Sequence, residues 1–368
     1  MERRILGGIF IFTAIIVLLA GCIGGGAKGP EPLNLDNLSA NTKAMADAYV
    51  AVDGAGYMKG VTKVFIPSFQ VEFITKSSAS AHAYGWGNQQ SADVSVSYLL
   101  KGIDNGVFQA LTDQLYAETI ADLKEKGFDI IPTDVLLANP VYQKIAAFGK
   151  PSPLKTSSRV EPKAGESVIC APKGMPVYFS LHDPQVGISS VFSQFGAAAQ
   201  AEAPHNLEGQ LIGELGATMV RVRLVVGFTD VREKAGVGEA KVGGSMRFSI
   251  AADQSQIAFY NSVDSYEAGF EGNKRMVYTL RTDKVAAFKL KQAIISPDAF
   301  DKEIVDTTGT TAKVVEGAFN VLSSLAGTGT SKAREYEVIA DAGAYEKTAE
   351  KYMAAYCQLM AAKLPEPK

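Results

Sequence analysis

An apolar run at the start of the chain limits where the rest of it can fold. Residues 5–20 are apolar, glycine or threonine; they follow the charged residues 2–4 and end in Leu-Ala-Gly-Cys at 19–22. A charged start, an apolar core and a small-residue end are the layout of a secretory signal. The run is shorter than the roughly 20 apolar residues that a membrane-spanning helix needs. We therefore expect residues 1–21 to be a signal peptide and the remainder to fold after export.

The cysteine that closes this run resembles the lipobox cysteine of bacterial lipoproteins, because it directly follows the small residues Ala20 and Gly21. The resemblance implies cleavage between Gly21 and Cys22, with diacylglycerol on the Cys22 thiol and an acyl chain, such as palmitate, on the new amino terminus. In enterobacteria an aspartate after the cysteine tends to retain lipoproteins at the inner membrane. The residue here is Ile23, which implies the outer membrane.

Composition and charge narrow the class of protein further. The chain has 47% hydrophobic and 20% charged residues, as globular proteins do, and a formal net charge of -3. A nucleic-acid partner is disfavoured, because binding phosphates calls for a basic excess. The glycine- and proline-rich residues 22–37 favour a flexible tether between the anchor and the domain.

Residues 38–150 are predicted to form a small α/β unit. A short helix is expected over 39–51. The β-branched and aromatic stretch 61–75 suits a central strand, with a bulge or an edge at Pro67, and a hairpin leads to a second strand at 94–98.

A helix over 105–126 has apolar residues at helical spacing and ends at Gly127. A short strand at 128–131 precedes a helix capped by Thr133. Asn139-Pro140, a capping residue before a first-turn proline, starts another helix.

Residues 151–368 are predicted to be richer in strands and to continue, as one option, the same domain. Val220 and Val222 alternate with Arg221 and Arg223, which predicts an antiparallel meander with one solvated face. The other expected elements are a loop at 150–167, strands at 168–170 and 177–181, a helix at 206–216, a loop at 236–244, strands at 246–250, 257–259 and 285–295, a weak helix at 312–327, a strand at 337–341 and an amphipathic helix at 345–364.

Histidines and cysteines offer few candidate sites. The three histidines, His82, His182 and His205, lie in different segments without ligand-like spacing, so neither a metal site nor a cofactor is expected. Cys170 and Cys357 are both in apolar surroundings, which favours buried thiols, although pairing in an oxidising compartment is an alternative.

Cys170 also belongs to the nearest approach to a catalytic set. If strands 168–170 and 177–181 paired, Cys170 would approach His182 and Asp183, which is the arrangement of a cysteine hydrolase. The alternative is that His182-Asp183-Pro184 forms a turn at the end of a strand. We favour this alternative, and we therefore expect the protein not to be an enzyme.

The order of elements in two stretches is similar to that of the curli-secretion-channel family of outer-membrane lipoproteins. These stretches are Leu111 to Asp134, with a helix, a short strand and a cap, and Leu207 to Phe259, with a helix and a hairpin. In that family two hairpins per subunit join a multi-subunit pore, and the resemblance implies residues 69–98 and 221–250 as the candidates. Their tips are rich in Ser, Ala, Gly and Lys, whereas membrane strands need an apolar outward face.

These observations together predict an α+β protein with a mixed, mostly antiparallel sheet, an N-terminal α/β unit and a C-terminal amphipathic helix. The expected role is a non-enzymatic scaffold, or a subunit of a surface or secretion assembly, held at the outer membrane through Cys22 and facing the periplasm or the cell surface. The expected partner is an unidentified envelope protein, and homo-oligomers are an option. The alternatives are a subunit of an oligomeric secretion channel and an envelope hydrolase with a cysteine nucleophile.

Overall fold

The structure, a computed structural model, describes residues 31–83, 92–157, 165–180, 204–236, 239–252, 254–263, 265–271, 274–281, 284–309, 313–314, 323–326 and 332–367. The expected signal peptide and most of the expected tether lie outside these residues.

Seven α-helices lie in the described part of the chain. They are α1 (Leu35–Ala40), α2 (Thr42–Tyr49), α3 (Asn105–Glu125), α4 (Thr133–Ala138), α5 (Pro140–Ala147), α6 (Pro204–Leu215) and α7 (Ala342–Lys363). A 3₁₀ turn, Ala55–Met58, follows the first strand.

The strands of the described residues fall into one large sheet and one separate hairpin. They are β1 (Val50–Asp53), β2 (Lys63–Ala83), β3 (Ala92–Lys101), β4 (Asp129–Ile130), β5 (Leu154–Ser157), β6 (Glu166–Cys170), β7 (Thr218–Gly236), β8 (Glu239–Ile250), β9 (Gln256–Ser262), β10 (Ser265–Glu271), β11 (Lys274–Arg281), β12 (Lys284–Leu290), β13 (Ile294–Ile295), β14 (Asp301–Asp306), β15 (Lys313–Val314), β16 (Ser323–Ala326) and β17 (Lys332–Ala340).

The two longest strands, β2 and β7, lie side by side in the middle of the large sheet. They run parallel from the Val64–Thr218 pair to the Phe73–Val226 pair. Beyond these pairs they separate, and each forms an antiparallel hairpin, β2 with β3 and β7 with β8. The order across the sheet is β1-β12-β9-β7-β2-β3-β17-β14-β15, with β4, β5, β6, β8, β13 and β16 attached beside it. The α+β class and the mixed, mostly antiparallel sheet are confirmed, and strands from both predicted halves belong to this sheet.

Strand β2 is central because its residues are apolar on both faces. Val64, Phe65, Val71 and Phe73 are all fully buried. The bulge expected at Pro67 is confirmed, since the β2–β7 register shifts between Phe65 and Ser68. Proline cannot donate a ladder hydrogen bond, and the bulge releases it from that requirement.

Helices α3 and α7 pack against the sheet side by side. Phe108 of α3 stacks on Phe73 of β2 with ring centroids 4.4 Å apart, and its ring meets Tyr345 of α7 edge-on. The aspartates Asp104 and Asp341 cap the two helices by accepting from first-turn amides. Both helices were expected from their periodicity, and both are confirmed.

Several expectations for the first half are corrected. Residues 39–51 form two short helices and the start of β1 rather than one helix. The capping residue of α4 is Pro132, and Thr133 is the first residue of the helix itself. The Thr133 hydroxyl bonds the hydroxyl of Tyr116 at 2.6 Å. The cap by Asn139 is confirmed, since its side chain accepts from the amides of Val141 and Tyr142.

The second half carries more corrections. The loop expected at 150–167 contains β5, and the loop expected at 236–244 is occupied by β8 from Glu239 onward. Residues 177–180 form no strand, only an isolated bridge between Val177 and Lys150. The strand expected at 285–295 is divided into β12 and β13, and the described part of 312–327 is extended rather than helical. Helix α6, strands β9 and β17 and the alternation at 246–250 agree with the expectation.

Candidate functional site

The expected lipid-attachment site, Cys22 with cleavage after Gly21, lies outside the described residues. The chain that follows it joins the domain at Leu33, which is buried and donates its amide to the carbonyl of Ile295 in β13 at 2.9 Å. Ile295 pairs with Ser249 of β8, and Ser249 pairs with Gly227 of β7. The described chain therefore joins the domain at Leu33, inside the tether expected over 22–37, level with the point where the β7–β8 hairpin begins.

The two hairpins are long and extend beyond the shared β2–β7 core. The β7–β8 ladder runs from the Val226–Ile250 pair to the Gly236–Glu239 pair. In the β2–β3 hairpin, Ala79, Ala81, Val94 and Val96 are buried. The opposite face is polar: Ser78 pairs with Ser97, Ser80 with Ser95, and His82 with Asp93.

Cys170 is fully buried at the end of β6 and lies next to Thr112 and Ser152. Burial raises the pKa of its thiol to about 12, an effect that the hydrogen bonds from these two hydroxyls partly offset. A nucleophilic cysteine needs the opposite, a lowered pKa and access to substrate. The pairing that would bring His182 near Cys170 is wrong, because β6 pairs with β2 and β5. His182 and Asp183 themselves lie outside the described residues.

Cys357 is the second buried free thiol. Its sulfur lies 3.7 Å from the hydroxyl of Thr119 on α3, and burial raises its pKa. Cys170 contacts Thr112, which also lies on α3. Thr112 precedes Thr119 by seven positions, which corresponds to about 10 Å along the helix axis. This separation along α3 explains why the two thiols stay apart rather than forming a disulfide.

A cluster of buried charges lies where a solvated face of β7 was expected, so this expectation is wrong. Arg221 and Arg223 are only 5% and 4% exposed. The guanidinium of Arg221 donates to the carboxylate of Glu208 on α6, and that of Arg223 donates to Glu72 on β2. Each arginine thus bonds a carboxylate from a different element.

Glu208 is the centre of this cluster and is completely buried. It also accepts from the hydroxyl of Tyr178 at 3.0 Å and from that of Ser180 at 2.7 Å. Burial, and then the neighbouring Glu208 carboxylate, raise the pKa of Tyr178 well above its ordinary value. The carboxylate joins α6, β7 and the segment 178–180, and all of its described contacts are structural.

The sequence contains a signal for this cluster. Glu72 stands between Val71 and Phe73 inside an apolar run. A charged residue in such a run is expected to be buried, and a buried charge needs a partner of opposite sign. That signal also favours a buried role for Arg221 and Arg223.

A groove of about 650 Å³ lies between the first half of α3 and residues 172–175. Gln109 donates to Asp113 and to the carbonyl of Ala171, and it accepts from Ser152. Asp113 also accepts from the amide of Lys173. These bonds hold the 171–175 segment on α3, and they use the side chains of Gln109, Asp113 and Ser152 within the protein.

The histidines do not assemble a metal centre in the part of the chain that the structure describes. His82 bonds Asp93 at 2.6 Å on the β2–β3 hairpin, and His205 is buried on α6. Across the described ranges, no three His, Cys, Asp or Glu side chains are grouped closely enough to hold a metal ion. The described helices include none that is both long and apolar enough to cross a membrane.

Comparisons with known proteins leave the chain without an assigned family. No family model, curated protein or solved structure matches it.

Proposed function

We propose that the protein is an outer-membrane lipoprotein, anchored through Cys22, that serves as a non-enzymatic scaffold or subunit of an envelope assembly. The observation that carries this proposal is the cysteine itself, which directly follows Ala20 and Gly21 at the end of a signal-like run. The diacylglycerol on the thiol and the acyl chain on the new amino terminus would together supply three hydrocarbon chains, and stable anchoring needs at least two such signals.

The attachment point of the tether supports this role. Leu33 is fixed beside Ile295, level with the base of the β7–β8 hairpin. A chain of nine residues with the glycine-rich composition of 22–30 has an expected root-mean-square length of about 16 Å. The anchor therefore keeps the hairpin base close to the membrane surface, where an assembly partner would meet it.

The chemistry of the described interior supports a scaffold over an enzyme. Glu208, the most buried carboxylate, is bonded to Arg221, Tyr178 and Ser180. Cys170, the nucleophile of the hydrolase alternative, is fully buried with a raised pKa. Both groups have structural roles in the geometry described above.

A subunit of an oligomeric secretion channel is the second candidate, and the hairpins favour it. Eleven residues of β7, from Val226 to Gly236, lie in the β7–β8 ladder, and a membrane strand needs about 9–11. The β2–β3 hairpin departs from this pattern, because Ser78, Ser80 and His82 alternate along one of its faces, where lipid contact requires apolar residues. This departure makes the scaffold our first choice.

Metabolic labelling with palmitate tests the anchor. We expect label on the wild-type protein and on Ile23→Ala, which changes the neighbouring residue but keeps the thiol. We expect Cys22→Ala to remain unlabelled and to keep its signal peptide. Label on Cys22→Ala, or an unlabelled wild-type protein, would overturn the proposal.

Cross-linking in intact envelopes, followed by purification of the Cys22-anchored protein, then tests the assembly role. Specific cross-linked species that disappear in Cys22→Ala are expected. Light scattering of the detergent-solubilised protein tests the channel candidate, because a channel subunit must form a ring oligomer and a monomer would exclude it.

A further inference from the structure

The hairpin formed by β10 and β11 is a side branch of the main sheet. Ser262 at the end of β9 pairs directly with Lys284 at the start of β12, so the chain between them leaves and returns at one place. Val263, directly before the hairpin, is fully buried and packs beside Gly209 of α6. The hairpin is therefore held at its base, and the main sheet is continuous without it.

Within the described residues, β10 and β11 pair only with each other. Each of them has a second backbone edge that no described strand occupies. The edge of β10, seven residues long, measures about 23 Å. Two-stranded hairpins are marginally stable alone, and their open edges are templates for pairing with another strand.

The two edges differ in charge. Strand β10 carries Glu267 and Glu271 and no basic residue. Strand β11 carries Lys274, Arg275 and Arg281 and no acidic residue. An acidic strand pairs favourably with a basic strand, whereas two acidic or two basic strands repel each other.

We propose that the β10–β11 hairpin joins copies of this chain edge to edge, with β11 of one copy pairing with β10 of the next. This inference rests on the proposed role as an assembly subunit and names a second copy as the partner. Since β10 and β11 are antiparallel, the order β10-β11-β10-β11 continues as an antiparallel sheet. Each acidic strand then lies between two basic strands, and pairing of like edges is disfavoured by repulsion. Head-to-tail contacts of this kind form rings when the rotation between copies closes.

Removal of the hairpin is the first test. Residues 264–282 of the full lipidated chain are replaced by Asn-Gly, the dipeptide that favours a tight hairpin turn. We expect the wild-type protein in detergent to be an oligomer by light scattering and the shortened protein to be a monomer. Its melting temperature should stay within about 3 °C of the wild type, because the Ser262–Lys284 pair closes the main sheet without the hairpin.

A charge exchange is the second test, and it preserves attraction within the hairpin. One variant combines Glu267→Lys and Glu271→Lys with Lys274→Glu, Arg275→Glu and Arg281→Glu. Wild-type copies should co-purify with tagged wild type, and exchanged copies with tagged exchanged protein. Wild-type and exchanged copies should co-purify several-fold less, because the facing edges then carry like charges.

Three results would overturn the inference: a monomeric wild type, a shortened protein with unchanged oligomeric mass, or mixed co-purification at the wild-type level. Each of them leaves the palmitate result for Cys22 standing. Failure of this interface is thus distinguishable from failure of the proposed membrane-anchored role.

Discussion

Replacement of Glu208 by glutamine should be the most damaging of the conservative substitutions available in the described interior. Glutamine has nearly the same shape as glutamate, so the packing of α6 on β7 is preserved. The change removes the negative charge to which the Arg221 guanidinium, 5% exposed, donates in the wild type. In the wild type the hydroxyls of Tyr178 and Ser180 donate to the Glu208 carboxylate. The substitution directs an amide NH₂ group, which is also a donor, toward one of these hydroxyls.

The expected cost follows from the burial of the pair. Removing one partner of a buried ion pair costs about 3–5 kcal/mol, because the other charge remains buried. At about 2.1 cal/mol/K per residue, unfolding a domain of about 340 residues has an entropy near 0.7 kcal/mol/K, so the melting temperature should fall by about 4–7 °C.

Thermal and urea unfolding, followed by circular dichroism, measure this loss. Glu214→Gln is the matched control, since Glu214 lies on the same helix, is exposed and bonds only Gln210 and Asn139 among the described side chains. We expect it to change stability by less than about 0.5 kcal/mol. Arg221→Met combined with Glu208→Gln should cost less than the sum of the two single changes. A loss below about 0.5 kcal/mol for Glu208→Gln alone would refute the reasoning.

Three further predictions concern thiols, a cap and a turn. Cys170 and Cys357 should both resist thiol reagents in the folded protein, and both should react in denaturant without reductant. Burial raises the pKa of the Cys170 thiol to about 12 from 9.0. The stability that the buried, protonated thiol contributes is therefore complete below pH 9 and is lost as the pH rises toward 12. A fast native reaction would contradict this burial. Asn139→Ala should cost about 1 kcal/mol in urea unfolding, because the cap on α5 is lost, whereas Asn139→Asp should retain it. Gly102→Ala should destabilise the folded protein by more than about 1 kcal/mol, since φ of Gly102 is +86° and a Cβ would lie 2.7 Å from the Ala340 carbonyl oxygen. Gly213→Ala, in open space on α6, should stabilise it. Equal effects of the two substitutions would exclude the strain argument.

The elements that were predictable from sequence are those whose pattern has one physical solution. Residues 61–75 are apolar on both faces, and only a central strand buries both, as β2 does. The apolar rows of α3 and α7 repeat over more than five turns, which no strand accommodates. Turn chemistry was reliable where backbone geometry required it, as at Pro67 and at Asn139-Pro140.

The sequence pattern was ambiguous where the environment of a segment depends on its partners in the tertiary structure. Alternating valine and arginine fits a solvated face as well as a face covered by carboxylates. The partners of Arg221 and Arg223 come from α6 and from β2, which lies about 150 residues earlier. Strands β5, β10, β11 and β14 have only four to eight residues, and ladder partners rather than periodicity define them. The groove beside α3 was not predictable, because it depends on how residues 171–175 fold back on the helix.

The parallel pairing of β2 with β7 has a consequence for the timing of folding. Val64 lies opposite Thr218, so more than 150 residues separate the two strands that form the centre of the sheet. Contacts between such distant segments form slowly, because the entropy of closing the loop is lost before the contacts are gained. On the proposed export route, β2 would cross the membrane long before its neighbour and present a long apolar strand to the envelope in the interval. Strands in this condition are prone to aggregate, and a periplasmic chaperone that holds the first half until β7 emerges would raise the yield of folded protein.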